Sequence, residues 1–151
     1  MTQTVRPTPK RGPAQFFRRI ESKLGVNPLH SDKDLARVVE QRLSLASIDS
    51  LTQHGMTDQE IYALVAPRRT LAHRKSRHEL LTQEESDRVV RVARIASLAE
   101  EVFGDDAKAG RWLRKPKSRF DGKTPFELLF TEAGARMVEE MLLQLDYGFT
   151  A

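Results

Sequence analysis

Residues 57–78 read TDQEIYALVAPRRTLAHRKSRH, and this stretch decides the fold. Thr57-Asp58-Gln59-Glu60 is a capping box: the Thr57 hydroxyl can accept from the amide of Glu60 while the Glu60 carboxylate reaches back to the amide of Thr57. The helix it starts buries Ile61, Leu64 and Val65 and stops at Ala66-Pro67, since proline lacks the N–H a continuing helix needs. From Arg68 to His78 the chain carries five Lys/Arg, two His and no acid, with Leu71 as its clearest apolar anchor. A helix, a tight turn and a basic helix held by few apolar residues form the sequence pattern of a helix-turn-helix. The second helix of such a unit lies in a major groove, its long cationic side chains on phosphates and base edges. Arg68, Arg69, Thr70, His73, Arg74 and Arg77 are therefore the candidate DNA contacts.

Upstream the pattern is also helical. Phe16, Phe17, Ile20 and Leu24 fall on one face, and Gly25 is placed to end that helix. Asn27-Pro28 is a break, after which Ser31 or Asp32 can cap a helix carrying Leu35, Val38, Val39 and Leu43 as its apolar stripe. A short helix from about Ile48 to His54 ends at Gly55. Before Ala14 the chain has Pro7, Pro9 and Pro13 with Arg6, Lys10 and Arg11 and few apolar residues, which reads as a mobile basic arm.

Downstream, Thr82 with Glu85 is a second capping box, and the helix it starts runs to about Phe103. Val92, Ile95, Ala96, Ala99, Val102 and Phe103 give it a broad apolar face with alanines that permit close helix approach. Gly104 ends it, and a short helix through Ala107, Ala109, Trp112 and Leu113 stops before Pro116. After the basic loop Lys115–Lys123, Thr124-Pro125-Phe126-Glu127 is a third capping box with proline at the first helical position. Thr131 can cap a last helix on which Ala135, Val138, Leu142 and Leu145 align. Gly134 lets another backbone approach, and Gly148 is placed as a C-terminal cap. No run shows convincing period-two alternation, so the predicted fold is all-α. Its expected division is an arm at 1–13, a helical DNA-binding domain at 14–81 and a second small helical domain at 82–151.

Composition bounds the function. A chain of 151 residues with 39% hydrophobic and 30% charged residues is long enough to bury a real core. It has no cysteine, which removes disulfides, thiolate metal sites and cysteine nucleophiles. No apolar run approaches a membrane span and no apolar segment backs the basic N-terminus, so the expected location is the cytoplasm. Residues 1–81 carry 14 Lys/Arg against 8 Asp/Glu, whereas residues 82–151 carry 11 against 13. A basic front half on a mildly acidic back half points to two partners, the first polyanionic. His30, His54, His73 and His78 are scattered, and no phosphate loop, metal-ligand cluster or nucleophile motif appears, so no enzyme and no cofactor are expected.

Trp112-Leu113, Pro116, Gly122, Thr124-Pro125, Leu128-Leu129, Thr131, Gly134, Val138, Leu142 and Tyr147-Gly148, with Glu85-Ser86-Asp87-Arg88 and Val102-Phe103-Gly104-Asp105 upstream, resemble the Xre/MbcA/ParS family of antitoxins over roughly residues 46 to 151. The resemblance implies a Cro-like DNA-binding domain that represses its own operon and a C-terminal domain that binds a RES-domain toxin. Partner toxins of such pairs degrade NAD, and the antitoxin blocks access to the active site. On this resemblance Trp112, Leu113, Pro116, Gly122, Pro125, Leu128 and Gly134 set the fold, and the end of the chain lies nearest the toxin. Relatives usually have asparagine where this chain has Lys117, and a glycine-like residue in the turn here written Val65-Ala66-Pro67-Arg68. The candidate toxin contacts are Leu145, Tyr147, Gly148, Phe149, Thr150 and Ala151, with Arg114 on the rim. A homodimer on operator DNA is expected within the toxin–antitoxin complex. The alternative reading is a stand-alone transcriptional regulator whose C-terminal domain only dimerises.

Overall fold

The computed structural model describes residues 12–150, excepting the side-chain surroundings of residues 149 and 150; the arm at 1–11 and Ala151 lie outside the described residues. Among the described residues there is helix and no strand, in the order α1 Pro13–Leu24, α2 Asp32–Gln41, α3 Ala46–Gln53, α4 Asp58–Leu64, α5 Arg68–Ser76, α6 Gln83–Phe103, α7 Asp106–Leu113, α8 Pro125–Leu128 and α9 Glu132–Thr150. A single 3-10 turn spans Ser118–Phe120.

The local signals set most of these ends. Thr57, Thr82 and Thr124 each accept from the amide three residues on while Glu60, Glu85 and Glu127 return the bond, so all three capping boxes form. Gly25 and Gly104 close α1 and α6 in the left-handed region, at φ 68° and 79°. Ser31 accepts from the Asp34 amide and Asp105 from that of Lys108. Thr131 Oγ1 accepts from the Gly134 amide at 3.0 Å.

The 21 residues of α6 are the axis of the molecule. Val89, Val92, Ala93, Ile95 and Ala99 have no exposed surface, and α1, α2, α7 and α9 pack around them. Each buried branched side chain contributes about 1.5–3 kcal/mol. Ion pairs fasten α1 at the rim, where Lys23 Nζ lies 2.6 Å from Glu100 and Arg19 Nη1 3.1 Å from Glu101. At the far end Arg91, 9% exposed, pairs with Asp87 and Glu132. It also donates to the carbonyls of Leu129 (3.2 Å) and Phe130 (3.0 Å) and so satisfies the link between α8 and α9.

Three expectations change. Leu43 is buried but outside α2, because Arg42 turns to φ 67° and its guanidinium donates to the carbonyls of Leu80 and Leu81. The Leu43 amide instead donates to Ser86 Oγ at 2.9 Å. The third helix starts at Ala46. Gly148 does not end the last helix, which passes through it to Thr150; a glycine stops a helix only where it takes the left-handed conformation. Gly134, by contrast, is where backbones meet. A Cβ there would stand 2.9 Å from the Leu128 carbonyl carbon and closer still to its oxygen.

Candidate functional site

Two surfaces of different chemistry stand on this frame. The first is α5. Leu71, 8% exposed, is its buried residue. Arg74 supplies the second anchor: its Nε lies 2.7 Å from Glu85, with Glu79 at 3.4 Å from Nη1. Burial pushes the Glu85 carboxyl up, but the Thr82 amide and Arg74 outweigh that and hold it below the usual glutamate range. Arg74, its side chain 18% exposed, is thus engaged by acids of its own chain.

The remaining residues divide between two faces. Arg69, Thr70 and His73 lie together on one side with Arg74. Arg68 lies on the other with Leu71, Ala72 and Lys75, facing Asp49 and Asp58 across a groove whose floor includes Leu45, Ile48 and Ile61. Arg77 is exposed just past the helix. Pro67 takes the position before α5, where its missing N–H removes no helix bond. Behind the turn, Arg88 Nη1 donates to the Val65 carbonyl at 3.1 Å while its guanidinium carbon stands 4.7 Å above the Phe130 ring.

The second surface is the outer side of α9. Ala135, Val138, Met141 and Leu142 are buried and Leu145 is half-buried against the core. Leu145, expected as a contact, leans against the core while staying partly exposed. The opposite side carries Met137 at 45%, Leu143 at 41% and Tyr147 at 75% exposure, and Phe130 at 48% stands just before the helix. These apolar residues share their side with Glu140, Arg136 and Gln144, all exposed. Sequence reasoning missed Phe130, Met137 and Leu143. The signal was present, since Met137 and Leu143 fall about a third of a turn off the aligned row Ala135, Val138, Leu142, Leu145, one on either flank. Gly148 is exposed on the same helix with nothing within 4 Å of a Cβ placed on it. Phe149 and Thr150 have no described side-chain surroundings, and Ala151 lies outside the described residues.

Arg114, expected at the rim, is turned toward the front half. Its Nε and Nη2 each lie 2.9 Å from a Glu60 oxygen. Nη2 also donates to the Gly55 carbonyl at 3.0 Å and Nη1 to that of Gly110 at 3.2 Å. The guanidinium covers Phe126 at 5.0 Å. Burial raises Glu60, yet Arg114 and the Thr57 amide leave it below the usual range.

One pairing was not legible in sequence: Ser22 Oγ stands 3.0 Å from His54 Nε2, whose Nδ1 meets the Ser50 carbonyl at 2.8 Å. Ser50 Oγ in turn donates to the Ser22 carbonyl at 3.1 Å, so the group ties α1 to α3. Among the described residues no cluster of His, Asp or Glu could hold a metal ion, and no helix is long and apolar enough to cross a membrane.

Comparison with known proteins bears on both surfaces. A family model described as the antitoxin Xre/MbcA/ParS C-terminal toxin-binding domain matches residues 98–148, and one described as the antitoxin Xre-like helix-turn-helix domain matches 34–94. The chain is 38% identical over 135 residues to antitoxin Xre of Pseudomonas putida, covering 89% of this chain and 85% of that protein. It is 35% identical over 83 residues to antitoxin Xre of Yersinia enterocolitica, covering 54% of this chain and 56% of the relative. With antitoxin Xre of Photorhabdus laumondii it shares 31% identity over 84 residues, 55% of this chain and 57% of the relative.

Proposed function

This chain belongs to the Xre/MbcA/ParS antitoxin family, and from that premise we propose that it neutralises a RES-domain, NAD-degrading toxin by laying the outer side of α9 and the residues beyond it across the toxin's active site. The same chain binds operator DNA through α5 and represses its own operon. It works in the cytoplasm as a homodimer inside the toxin–antitoxin complex, and it has no catalytic activity of its own. The working division is a DNA-binding part over 14–81 and a toxin-binding part over 82–151.

The observation that carries the reading is the exposure of Leu143 and Tyr147, one turn apart, with Met137 further round the same helix, whose other side packs on the core. Large apolar side chains on an outward face make a contact surface when aromatic anchors sit among charged neighbours. Phe130, also exposed, carries the Arg88 guanidinium over its ring. For DNA, the support is the group Arg69, Thr70 and His73 on the free side of α5, with Arg77 beyond it.

The test is co-expression with the neighbouring reading frame, a tag on one partner, and measurement of cellular NAD. Capture of a RES-domain protein, with NAD preserved only when this chain is present, is the expected result. Self-association without capture of that protein overturns the antitoxin mechanism and leaves a stand-alone regulator whose C-terminal part dimerises.

A further inference from the structure

The back half of the chain is mildly acidic as a whole, yet its cations are crowded into one segment. Residues 111–123 hold six Lys/Arg against one acid, Asp121. Along α9, in contrast, Glu132, Glu139, Glu140 and Asp146 stand against Arg136. The two segments therefore carry opposite sign, with Arg119 Nη1 reaching Gln144 of α9 at 2.9 Å, and a polyanion repelled by the acids of α9 is attracted to the cations of 111–123.

Geometry fixes that edge against the helix-turn-helix. Arg114 clamps it to Glu60 and to the Gly55 carbonyl, at the N-terminal end of α4. Arg111 and Lys115 line a shallow depression together with Asp106 and with His54 and Gly55 from the end of α3. Helix α4 has 7 residues, so about 10 Å separates this end from the turn into α5. In helix-turn-helix complexes the first helix crosses the DNA backbone while the second enters the groove. Cations beside the N-terminal end of α4 thus lie next to the helix that such a complex sets across the DNA backbone.

The loop is built to hold its charges outward. The Lys117 amide donates to the Lys123 carbonyl and the Gly122 amide to the Lys117 carbonyl, both at 3.0 Å, closing a turn with Lys123 exposed on it. Lys117 Nζ lies 5.0 Å over the Trp112 ring. Burial, and after it the Lys115 ammonium, pulls Lys117 below the usual lysine range. Trp112 is covered by Lys117 and Phe103, so the edge lacks the exposed aromatic centre a protein interface is built on.

We propose that the exposed cations Arg111, Lys115 and Lys123 form a second phosphate-binding surface that tracks the DNA backbone beside the site held by α5. The proposal rests on the reading of α5 as the DNA-entering helix. It makes the back half of the chain a contributor to DNA affinity without sequence preference.

The full-length chain is compared with its Arg111→Gln/Lys115→Gln/Lys123→Gln variant on the duplex upstream of its own reading frame and on a random-sequence duplex of equal length. Both proteins are first checked for equal thermal stability, which substitution of exposed side chains should leave unchanged. The expected result is binding weakened by about 10-fold on both duplexes, with the slope of log affinity against log salt reduced by about 2 to 3. Unchanged affinity and slope in a wild-type protein that does bind DNA overturns the proposal and leaves the reading of α5 intact. A wild-type protein that binds neither duplex overturns both. Loss of toxin capture with DNA binding unchanged would assign these cations to the protein partner and overturn the proposal as well.

Discussion

Arg114 and Glu60, 54 residues apart in the chain, meet in a two-point ion pair with Nε and Nη2 each 2.9 Å from a carboxylate oxygen. Glu60 is also the returning partner of the capping box that starts α4. One carboxylate therefore caps the start of the first helix of the helix-turn-helix and receives the arginine that follows α7. The front and back halves are joined by geometry as well as by the shared α6.

Replacing Arg114 with glutamine is expected to destabilise the fold by about 1–2 kcal/mol, because a carboxylate already partly removed from water loses its charged donor. Chemical denaturation measures this. Glu60→Gln should cost a similar amount, and the double variant less than the sum of the two, since the pair acts as one interaction. Full additivity would show that Arg114 and Glu60 contribute separately.

Acid should weaken the same contacts. Glu60 and Glu85 are both held below their ordinary value of 4.5 in the folded chain. A carboxylate with a depressed folded pKa contributes stability that is present above the unfolded value and is lost as pH falls through the folded one. Stability should therefore decline as pH drops below about 4.5. Glu85→Gln should be less stable than wild type at neutral pH by about 1 kcal/mol, with the gap closing in acid. A gap that persists at low pH would mean that shape, not charge, is what Glu85 supplies.

Gly134→Ala tests the approach of α8 to α9. Alanine is favoured over glycine inside a helix by about 1 kcal/mol. Here the added methyl group would meet the Leu128 carbonyl carbon at 2.9 Å and the oxygen more closely, and backbone cannot give way as a flexible side chain does. A net loss of about 2 kcal/mol or more is expected, read as a drop in melting temperature. An unchanged or raised melting temperature would refute the close contact.

On α5 the cations should separate into two kinds. Arg69→Gln with Arg77→Gln is expected to reduce the salt slope of DNA binding by up to about 2 with little change in stability. Arg74→Gln should instead lower stability, because it leaves Glu85 unpaired at 7% side-chain exposure. Thermal melts beside DNA titrations distinguish the two, and an Arg74 variant of full stability with a reduced slope would return that residue to the DNA face.

Along α9, Tyr147→Ala should weaken toxin capture by at least about 10-fold, as expected of an aromatic anchor at an interface. Leu145→Ala should do the reverse, costing stability because it packs against the core. Surface plasmon resonance with the purified partner, run beside thermal melts, checks both.

Helix ends were legible wherever the deciding chemistry lies within a turn of the chain. Thr57, Thr82 and Thr124 announce their helices because each bonds an amide three residues on, and Gly25 and Gly104 end theirs by entering a conformation other residues avoid. The inward row of α9 and the basic character of α5 were legible for the same reason, as was the need for glycine at 134. Gly148 was misread because its composition fits a cap equally well, and only the continuing helix shows that it is none.

The sequence by itself thus determined an all-helical chain, where most of its helices begin and end, and which of them is basic. Only the tertiary structure decided which charges and apolar groups remain available to a partner. Arg74 meets Glu85 11 residues away and Arg114 meets Glu60 54 residues away, while Met137, Leu143 and Tyr147 are outward because α6 and α8 cover the other side of α9. Local propensity acts over one turn of helix, whereas the fate of a long side chain depends on what the fold brings within a few ångströms of its tip.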